Sequence, residues 1–305
     1  FLAAVAEQVT VYEQTLVLRV DGGRVETDRG TVRARHVVFA CHFPFVNAPG
    51  YYFARMHQER SYVLALKNAP QLDGMYYGVD PEGLSFRNAG EYLLLGGGNH
   101  RTGENSAGGR YELLRQAARR CYPDSREAAH WSAQDCITLD GVPYIGVYAP
   151  SVPNWYVATG FQKWGMTSSM AAAMLISARI TGREDPDGAV FSPRRFKLPA
   201  AGANLLEDGK QTVKGLSRQL FTSGRAELEA LPSGHGGVVE LDGEKVGAYR
   251  DETGELFLVS TRCPHLGCQL EWNPDEKSWE CPCHGSRFDH RGRLLEGPAQ
   301  THLTE

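Results

Sequence analysis

Between Cys263 and Ser286 the chain reads Cys263-Pro-His265-Leu-Gly-Cys268 and, twelve residues on, Cys281-Pro-Cys283-His284-Gly-Ser286. No other stretch limits the fold so tightly. Thiolate and imidazole are soft-to-borderline ligands, suited to zinc or to an iron–sulfur cluster. Six potential ligands are too many for one metal unit, so they must divide. Cys263 with His265, and Cys281 with His284, form two matched Cys/His pairs on two loops, which leaves Cys268 and Cys283 as an extra pair, one on each loop. The other three cysteines, Cys41, Cys121 and Cys136, are scattered singly, as small buried hydrophobes usually are.

The residues around this cluster read as short strands. Gly237-Val-Val-Glu-Leu, Glu244-Lys-Val-Gly-Ala-Tyr and Leu256-Phe-Leu-Val-Ser are separated by Asp242-Gly243 and Thr253-Gly254, the spacing of a small antiparallel β domain. The whole pattern resembles the Rieske iron–sulfur proteins, in which two cysteines hold one iron of a [2Fe–2S] cluster and two histidines hold the other. The resemblance implies Cys263 and Cys281 on the inner iron and His265 and His284 on the outer. It also implies a disulfide between Cys268 and Cys283, as in the cytochrome-complex branch, and roles in tuning the cluster for Ser286, Phe288 and Pro298. Ser286 stands where a family hydroxyl donates to a cluster sulfide. Phe288 stands where high-potential members have a tyrosine donor, so an intermediate potential is expected. Gly297-Pro298-Ala299 resembles the loop that shields the cluster. Neutral imidazoles replacing thiolates make the cluster less negative and raise its potential. A structural zinc site is the alternative that the spacing alone allows.

The remaining length suggests a second, larger unit. The chain has 305 residues, roughly two domains of ~150 residues, and its 42% apolar and 22% charged residues are those of an ordinary globular protein. A net charge of −4 argues against nucleic-acid binding, which favours a basic face. The longest apolar run, Met170 to Ile176, is far short of the ~20 residues that span a bilayer. A soluble, cytoplasmic protein with no membrane span is expected.

Residues 1–191 mix strand and helix signals. Val9-Thr-Val-Tyr-Glu and Leu16-Val-Leu-Arg-Val read as strands, with a turn at Asp21-Gly22-Gly23. Val37 to Cys41 reads as a strand buried on both faces. Tyr111, Leu114, Ala118 and Cys121 follow helical spacing, and Met166 to Thr181 reads as a helix with Thr167 or Ser168 near its start and Gly182 to stop it. Gly96-Gly97-Gly98 leads into Asn99-His100 rather than a helix, so it reads as a strand ending against another backbone. Residues 192–224, broken by Pro193, Pro199 and Gly202, read as a linker carrying one short helix.

Four segments of the first stretch carry a second resemblance: Val37-Val-Phe-Ala-Cys41-His42-Phe-Pro-Phe, Trp131-Ser-Ala-Gln-Asp135, Asp140-Gly-Val-Pro-Tyr-Ile-Gly146 and Ala158-Thr-Gly160-Phe161-Gln-Lys163-Trp164-Gly165-Met166-Thr167. They resemble the D-amino-acid-oxidase-like FAD-dependent oxidoreductases, within which a bacterial group carries a Rieske domain at the C-terminus. The resemblance implies an α+β fold, here without the N-terminal βαβ unit that binds the ADP half of FAD, followed by a small all-β Rieske domain at 225–305. It places Cys41, His42, Gly160, Phe161, Lys163, Trp164, Gly165, Met166 and Thr167 near the flavin. A helix N-terminus there would stabilise an anionic reduced flavin. His42 and His100 tempt as bases, but a lone histidine is usually structural. Trp131, Trp155 and Trp164 are candidates for a pocket lining, though core packing is the commoner fate of such residues.

The two resemblances together imply an oxidoreductase that couples a two-electron flavin to a one-electron cluster. Its partners would be a small-molecule substrate, an amine or amino acid, and a one-electron donor or acceptor protein, with electron flow allowed in either direction. A pure Rieske electron-transfer protein with a non-catalytic scaffold is the second reading, and a zinc-stabilised interaction module the third.

Overall fold

A computed structural model describes residues 2–80, 82–183, 186–195, 228–241 and 243–304, with 209–210 and 213–214. Apart from those pieces, the expected linker and its short helix lie outside the described residues. In chain order the elements are α1 (Leu2–Ala6), β1 (Val17–Asp21), β2 (Arg24–Thr27), β3 (Gly30–Arg33), β4 (Val37–Phe39), β5 (Met56–Lys67), β6 (Tyr76–Tyr77), β7 (Ser85–Ala89), β8 (Tyr92–Arg101), α2 (Arg110–Cys121), β9 (Arg126–Thr138), β10 (Tyr144–Val147), β11 (Trp155–Thr159), α3 (Gly165–Ile180) and α4 (Gly188–Phe191). The C-terminal part adds β12 (His235–Leu241), β13 (Glu244–Arg250), β14 (Leu256–Ser260), β15 (Glu271–Asn273), β16 (Ser278–Glu280), β17 (Arg287–Asp289) and β18 (Leu294–Glu296).

The long strand β5 organises the first part. It is central in a five-stranded antiparallel sheet of order β6-β7-β8-β5-β9. Successive side chains on a strand point to opposite faces, so Gln58, Arg60, Tyr62, Leu64 and Leu66 share one face. Its far end is apolar: Tyr62, Leu64 and Leu66 pack with Leu93 and Leu95 against Tyr111, Leu114, Ala117 and Ala118 of α2. Its near end, Gln58 and Arg60, is polar yet only 2% and 1% exposed.

A second sheet, of order β10-β11-β4, has β11 antiparallel to β10 and parallel to β4. α3 covers one face through Ala172 and Ile176 against Ile145, Tyr156 and Ala158. Phe39, Tyr52, Met56, Tyr144, Tyr148, Trp155 and Val157 fill a separate cluster. Arg195 clamps Asp140 through both carboxylate oxygens, at 2.7 and 2.8 Å. Thus 192–195, which the sequence assigns to the linker, packs on this first unit.

The C-terminal unit is two antiparallel sheets, β12-β13-β14 and β15-β16-β17-β18. Their core joins Tyr249, Val259, Leu270, Trp272, Trp279 and Phe288 to four buried cysteines. The hairpin turns fall where Asp21-Gly22 and Asp242-Gly243 place them; Gly22 and Gly243 have φ of 54° and 83°, a region glycine enters without a Cβ penalty.

Four local expectations need correction. Val9 to Glu13 is not a strand: it has no neighbour to complete a ladder, and Val9, Val11 and Tyr12 are exposed. β4 is an edge strand with only Phe39 buried, while Val38 is 45% exposed. Cys41 and Cys121 are exposed rather than buried. Gly96–Gly98 does not end its strand, since β8 runs on to Arg101. The glycines there admit neighbours: a Cβ at Gly96 would lie 2.5 Å from Ser85 Oγ, and one at Gly97 2.7 Å from Leu84 Cδ2.

Candidate metal centre and flavin face

The two Cys/His loops meet at one end of the C-terminal unit. Each closes on its own first cysteine: Gly267 N–H donates to Cys263 O, and Gly285 N–H to Cys281 O, both at 2.8 Å. Gly267 and Gly285 both have φ of 80°, the left-handed conformation such turns need. The closure brings His265 Nδ1 within 3.2 Å of His284 Nδ1. Cys263 and Cys281, 2% and 1% exposed, are hydrogen-bonded to each other. That bond, donated by Cys281, pulls the Cys263 thiol down, helped by the backbone at His265 and Leu266 and by the Ser286 hydroxyl. The same contact and burial push Cys281 well up.

Burial lowers His265 to about 4, which keeps the imidazole neutral and its nitrogens available as ligands. His265 Nε2 lies 2.8 Å from Asn47 Oδ1; a proton on Nε2 satisfies this contact and leaves Nδ1 to ligate. Phe53 meets both imidazoles edge-on, at 6.0 and 5.7 Å between centroids. Cys268 and Cys283 form a disulfide that ties the loops together. The Cys281 sulfur also lies within 4.8 Å of those two, but disulfide sulfurs are not thiolate ligands. Two thiols, two converging Nδ1 atoms and a tie between their loops fit the Cys2His2 set of a Rieske cluster.

The three positions expected to tune the cluster are all buried. Ser286 is fully buried; its Oγ accepts from Ala299 N–H at 3.0 Å. Phe288 is buried among the core aromatics and pairs with Trp279 across β16 and β17. Pro298 is buried beside the Ser286 loop.

The residues expected near the flavin gather at the C-terminal ends of β4 and β11. Cys41 and His42 are exposed, and His42 has φ of 63°. Gly160, with φ of 75°, turns the chain after β11, where a Cβ would lie 2.3 Å from Thr138 Cγ2. Phe161 is half-buried against the α3 core. α3 then begins at Gly165, as expected, but neither hydroxyl caps it: its N-cap is Trp164, with no side-chain cap, and Thr167 Oγ1 donates back to Trp164 O at 3.2 Å. The first helical N–H groups therefore lack a side-chain partner. A Cβ at Gly165 would meet nothing within 4 Å, and Trp164 and Met166 are 65% and 70% exposed. An open, uncapped helix N-terminus fits a planar ring that accumulates negative charge.

Lys163 is exposed but not free; its Nζ pairs with Asp135 at 3.1 Å. His100 is buried between Tyr62 Oη (3.0 Å) and Arg101 O (2.7 Å), a structural role. Trp155 is core, Trp131 is 40% exposed, and Trp164 lines a groove with Gly160, Phe161 and Thr167.

Sequence reasoning missed the surface between the two units. Arg60 and Arg287, nearly buried, face Glu276, Glu280 and Glu296 at 3.0 to 3.8 Å. Tyr111 Oη donates to Glu276 at 2.6 Å. Asp275 accepts from Gly109 N–H and Arg110 N–H, at 3.1 and 2.8 Å, capping α2 from the other unit. Arg101 Nε donates to Pro282 O at 3.0 Å, and Gln58 Nε2 to His284 O at 2.7 Å. The available signal was His57-Gln58-Glu59-Arg60 inside a long strand: polar residues on both faces of a central strand require a second polar surface.

With this geometry in view, comparison with known proteins assigns the class. The family model described as FAD dependent oxidoreductase matches residues 1–179, and the Rieske [2Fe-2S] domain matches residues 225–305. The chain belongs to the FAD-dependent oxidoreductase family and carries a Rieske domain. FAD and a [2Fe–2S] cluster are the cofactors these families imply. The chain is 38% identical to the Bacillus subtilis Rieske 2Fe-2S iron-sulfur protein YhfW over 98% of its own length, but it spans 62% of that relative. The C-terminal 38% is 31% identical to cytochrome b6-f complex iron-sulfur subunit 2 of a Nostoc species, covering 65% of that protein. Glycine oxidase from Geobacillus kaustophilus shares the fold, with a TM-score of 0.54 and 22% identity over 64% of this chain and 56% of that one. Among the described residues, no helix is long and apolar enough to cross a membrane.

Proposed function

We propose that this chain is the part of an oxidoreductase in which a flavin and a Rieske cluster exchange electrons, with an amine or amino acid as substrate. Division of the chain into 1–191, 192–224 and 225–305 is part of this reading, supported by the ranges of the two family matches. So is a place in the cytoplasm, which fractionation of the full-length protein checks. The observation that carries it is the convergence of His265 Nδ1 and His284 Nδ1 at 3.2 Å beside the paired Cys263 and Cys281.

In this reading Cys263 and Cys281 hold the inner iron and His265 and His284 the outer one. Ser286 donates toward the sulfur side, Pro298 helps exclude water, and Phe288 lacks the hydroxyl that would raise the potential further. The flavin, when bound, supplies two-electron oxidation of the substrate. Cys41, His42, Gly160 and Phe161 form the surface on which it rests. The backbone N–H groups of Gly165, Met166 and Thr167 orient it and offset its negative charge. Lys163, held by Asp135, adds positive charge at that edge, and Trp164 shields it from water. The half-buried His265, beside Leu266 at 44% exposure, faces the one-electron protein partner.

Anaerobic iron, sulfide and zinc assays with low-temperature EPR before and after dithionite test the centre. About two irons and two sulfides per chain, with a rhombic signal on reduction, support it. One zinc per chain in iron-replete protein overturns it. Anaerobic mixing of the full-length protein with amines and amino acids, read as flavin bleaching, tests the substrate class; no bleaching with any of them removes it.

A further inference from the structure

The polar row on β5 and β9 does more than match charges. Gln58 and Cys136 are cross-strand partners, each 2% exposed. Gln58 Nε2 donates to His284 O at 2.7 Å and to Gly297 O at 3.1 Å. Its Oε1 accepts from Gln134 Nε2 at 2.8 Å, and the same Nε2 donates to Gly285 O at 2.8 Å. The amide is therefore fixed at every atom. On the other side, Cys136 Sγ lies 3.7 Å from Gln58 Oε1 and 3.4 Å from His42 O. Thr159 Oγ1 also donates to His42 O, and Gln162 N–H donates to Cys136 O at 3.2 Å. Cys136 thus sits directly beneath both segments of the flavin face.

We propose that Cys136 and Gln58 form an electron route inside one chain, from the His42 backbone through the Cys136 sulfur and the Gln58 amide to the backbone and imidazole of His284. The inference rests on the reading that a flavin lies against His42 and a cluster on His284. The reduced flavin is oxidised by giving up one electron to the cluster, and its proton goes to solvent. The same electron reduces the outer iron from ferric to ferrous, and a second follows after the protein partner has reoxidised the cluster.

Four features favour this route over one between chains. Its non-bonded steps are 3.7 Å or shorter, and tunnelling decays less through bonded and hydrogen-bonded atoms than across open gaps. Gly285 allows the approach, because a Cβ there would lie 2.6 Å from Gln58 Cβ. Burial pushes the Cys136 thiol well up, so the sulfur stays protonated and places no charge in the path. The two histidines also divide by surroundings: His284 is 4% exposed and faces Gln58, whereas His265 is half-buried on Asn47.

The test uses full-length holoprotein loaded with both cofactors. The flavin is reduced by a laser flash and the cluster is followed by its visible bleaching. Wild type is expected to show a first-order transfer whose rate does not change with protein concentration. Gln58→Met and Cys136→Ala are each expected to slow it by roughly tenfold through weaker electronic coupling, a rate ratio equivalent to about 1.4 kcal/mol. Both midpoint potentials and the reduced-cluster EPR spectrum should stay unchanged. Cys136→Ser, which restores a polar atom, should recover most of the rate. Unchanged rates in both Gln58→Met and Cys136→Ala overturn the route while leaving flavin–cluster coupling intact, and so does a wild-type rate that rises with concentration. A wild type in which reduced flavin never reduces the cluster overturns the coupling itself, and the route with it.

Discussion

The Cys/His end of the molecule is closed, whereas the face proposed for the flavin is open. Cys263, Cys281, His284 and Ser286 are all under 5% exposed, while Trp164 and Met166 are 65% and 70% exposed. The cluster loops are enclosed from both units: a disulfide ties them, the core of the C-terminal sheets backs them, and the first unit covers their outer edge through Gln58, Phe53 and Asn47. At the flavin face the helix N-terminus and the strand ends are in place, but apolar side chains stand in solvent. A small inorganic centre can be enclosed by two neighbouring loops; a large organic cofactor needs surface from several distant elements.

If the cluster end is self-contained, Cys281→Ser should drop iron from about two per chain to near zero and leave flavin content of the full-length holoprotein unchanged. Loss of flavin in the same variant would show that the two ends depend on each other. The next largest effect tests the closure. Glu280 is fully buried between Arg60 and Arg287, so Glu280→Leu leaves two buried guanidiniums short of a partner. Breaking such a pair costs about 3–5 kcal/mol, visible as a fall in Cm in urea with an unchanged slope.

Acid sharpens the same point. Burial of Glu276 works against its charged form, but hydrogen bonds from Ser132 and Tyr111, with the Arg60 and Arg287 charges, outweigh it and hold the carboxyl below its ordinary 4.5. A carboxyl lowered in the folded state contributes stability that is full above pH 4.5 and lost as pH falls below it. Wild type should therefore lose stability in that window more steeply than Glu276→Gln, followed by Tm against pH. Parallel curves would mean that the ion pairs contribute nothing across the interface. The smallest effect belongs to the open face: Trp164→Ala, at a site 65% exposed, should change stability by no more than about 0.5 kcal/mol. A larger loss would show that the open face is less independent of the core than its exposure suggests.

Much of this was legible in the linear chain, wherever the cause is local. The Cys/His spacing named a ligand set that the folded loops assemble. The Asp-Gly turns fell where turn chemistry places them, and α2 and α3 lie where helical spacing marks them. Local signals also failed where a partner was needed. Val9 to Glu13 has strand-forming residues and no neighbour, and Val37 to Cys41 has a buried-strand pattern at a sheet edge.

By itself, the sequence determined which Cys and His side chains stand as the candidate ligand set, where the turns fall and which families the two units resemble, because these depend on residue type and short spacing. Only the tertiary structure decided what the cluster faces. Gln58 and His284 are 226 positions apart, and His265 and Asn47 are 218. No periodicity joins residues at such separations. They meet because the polar end of one β5 face must satisfy its buried hydrogen-bonding groups, and the C-terminal unit presents the carbonyls, carboxylates and arginines that do so.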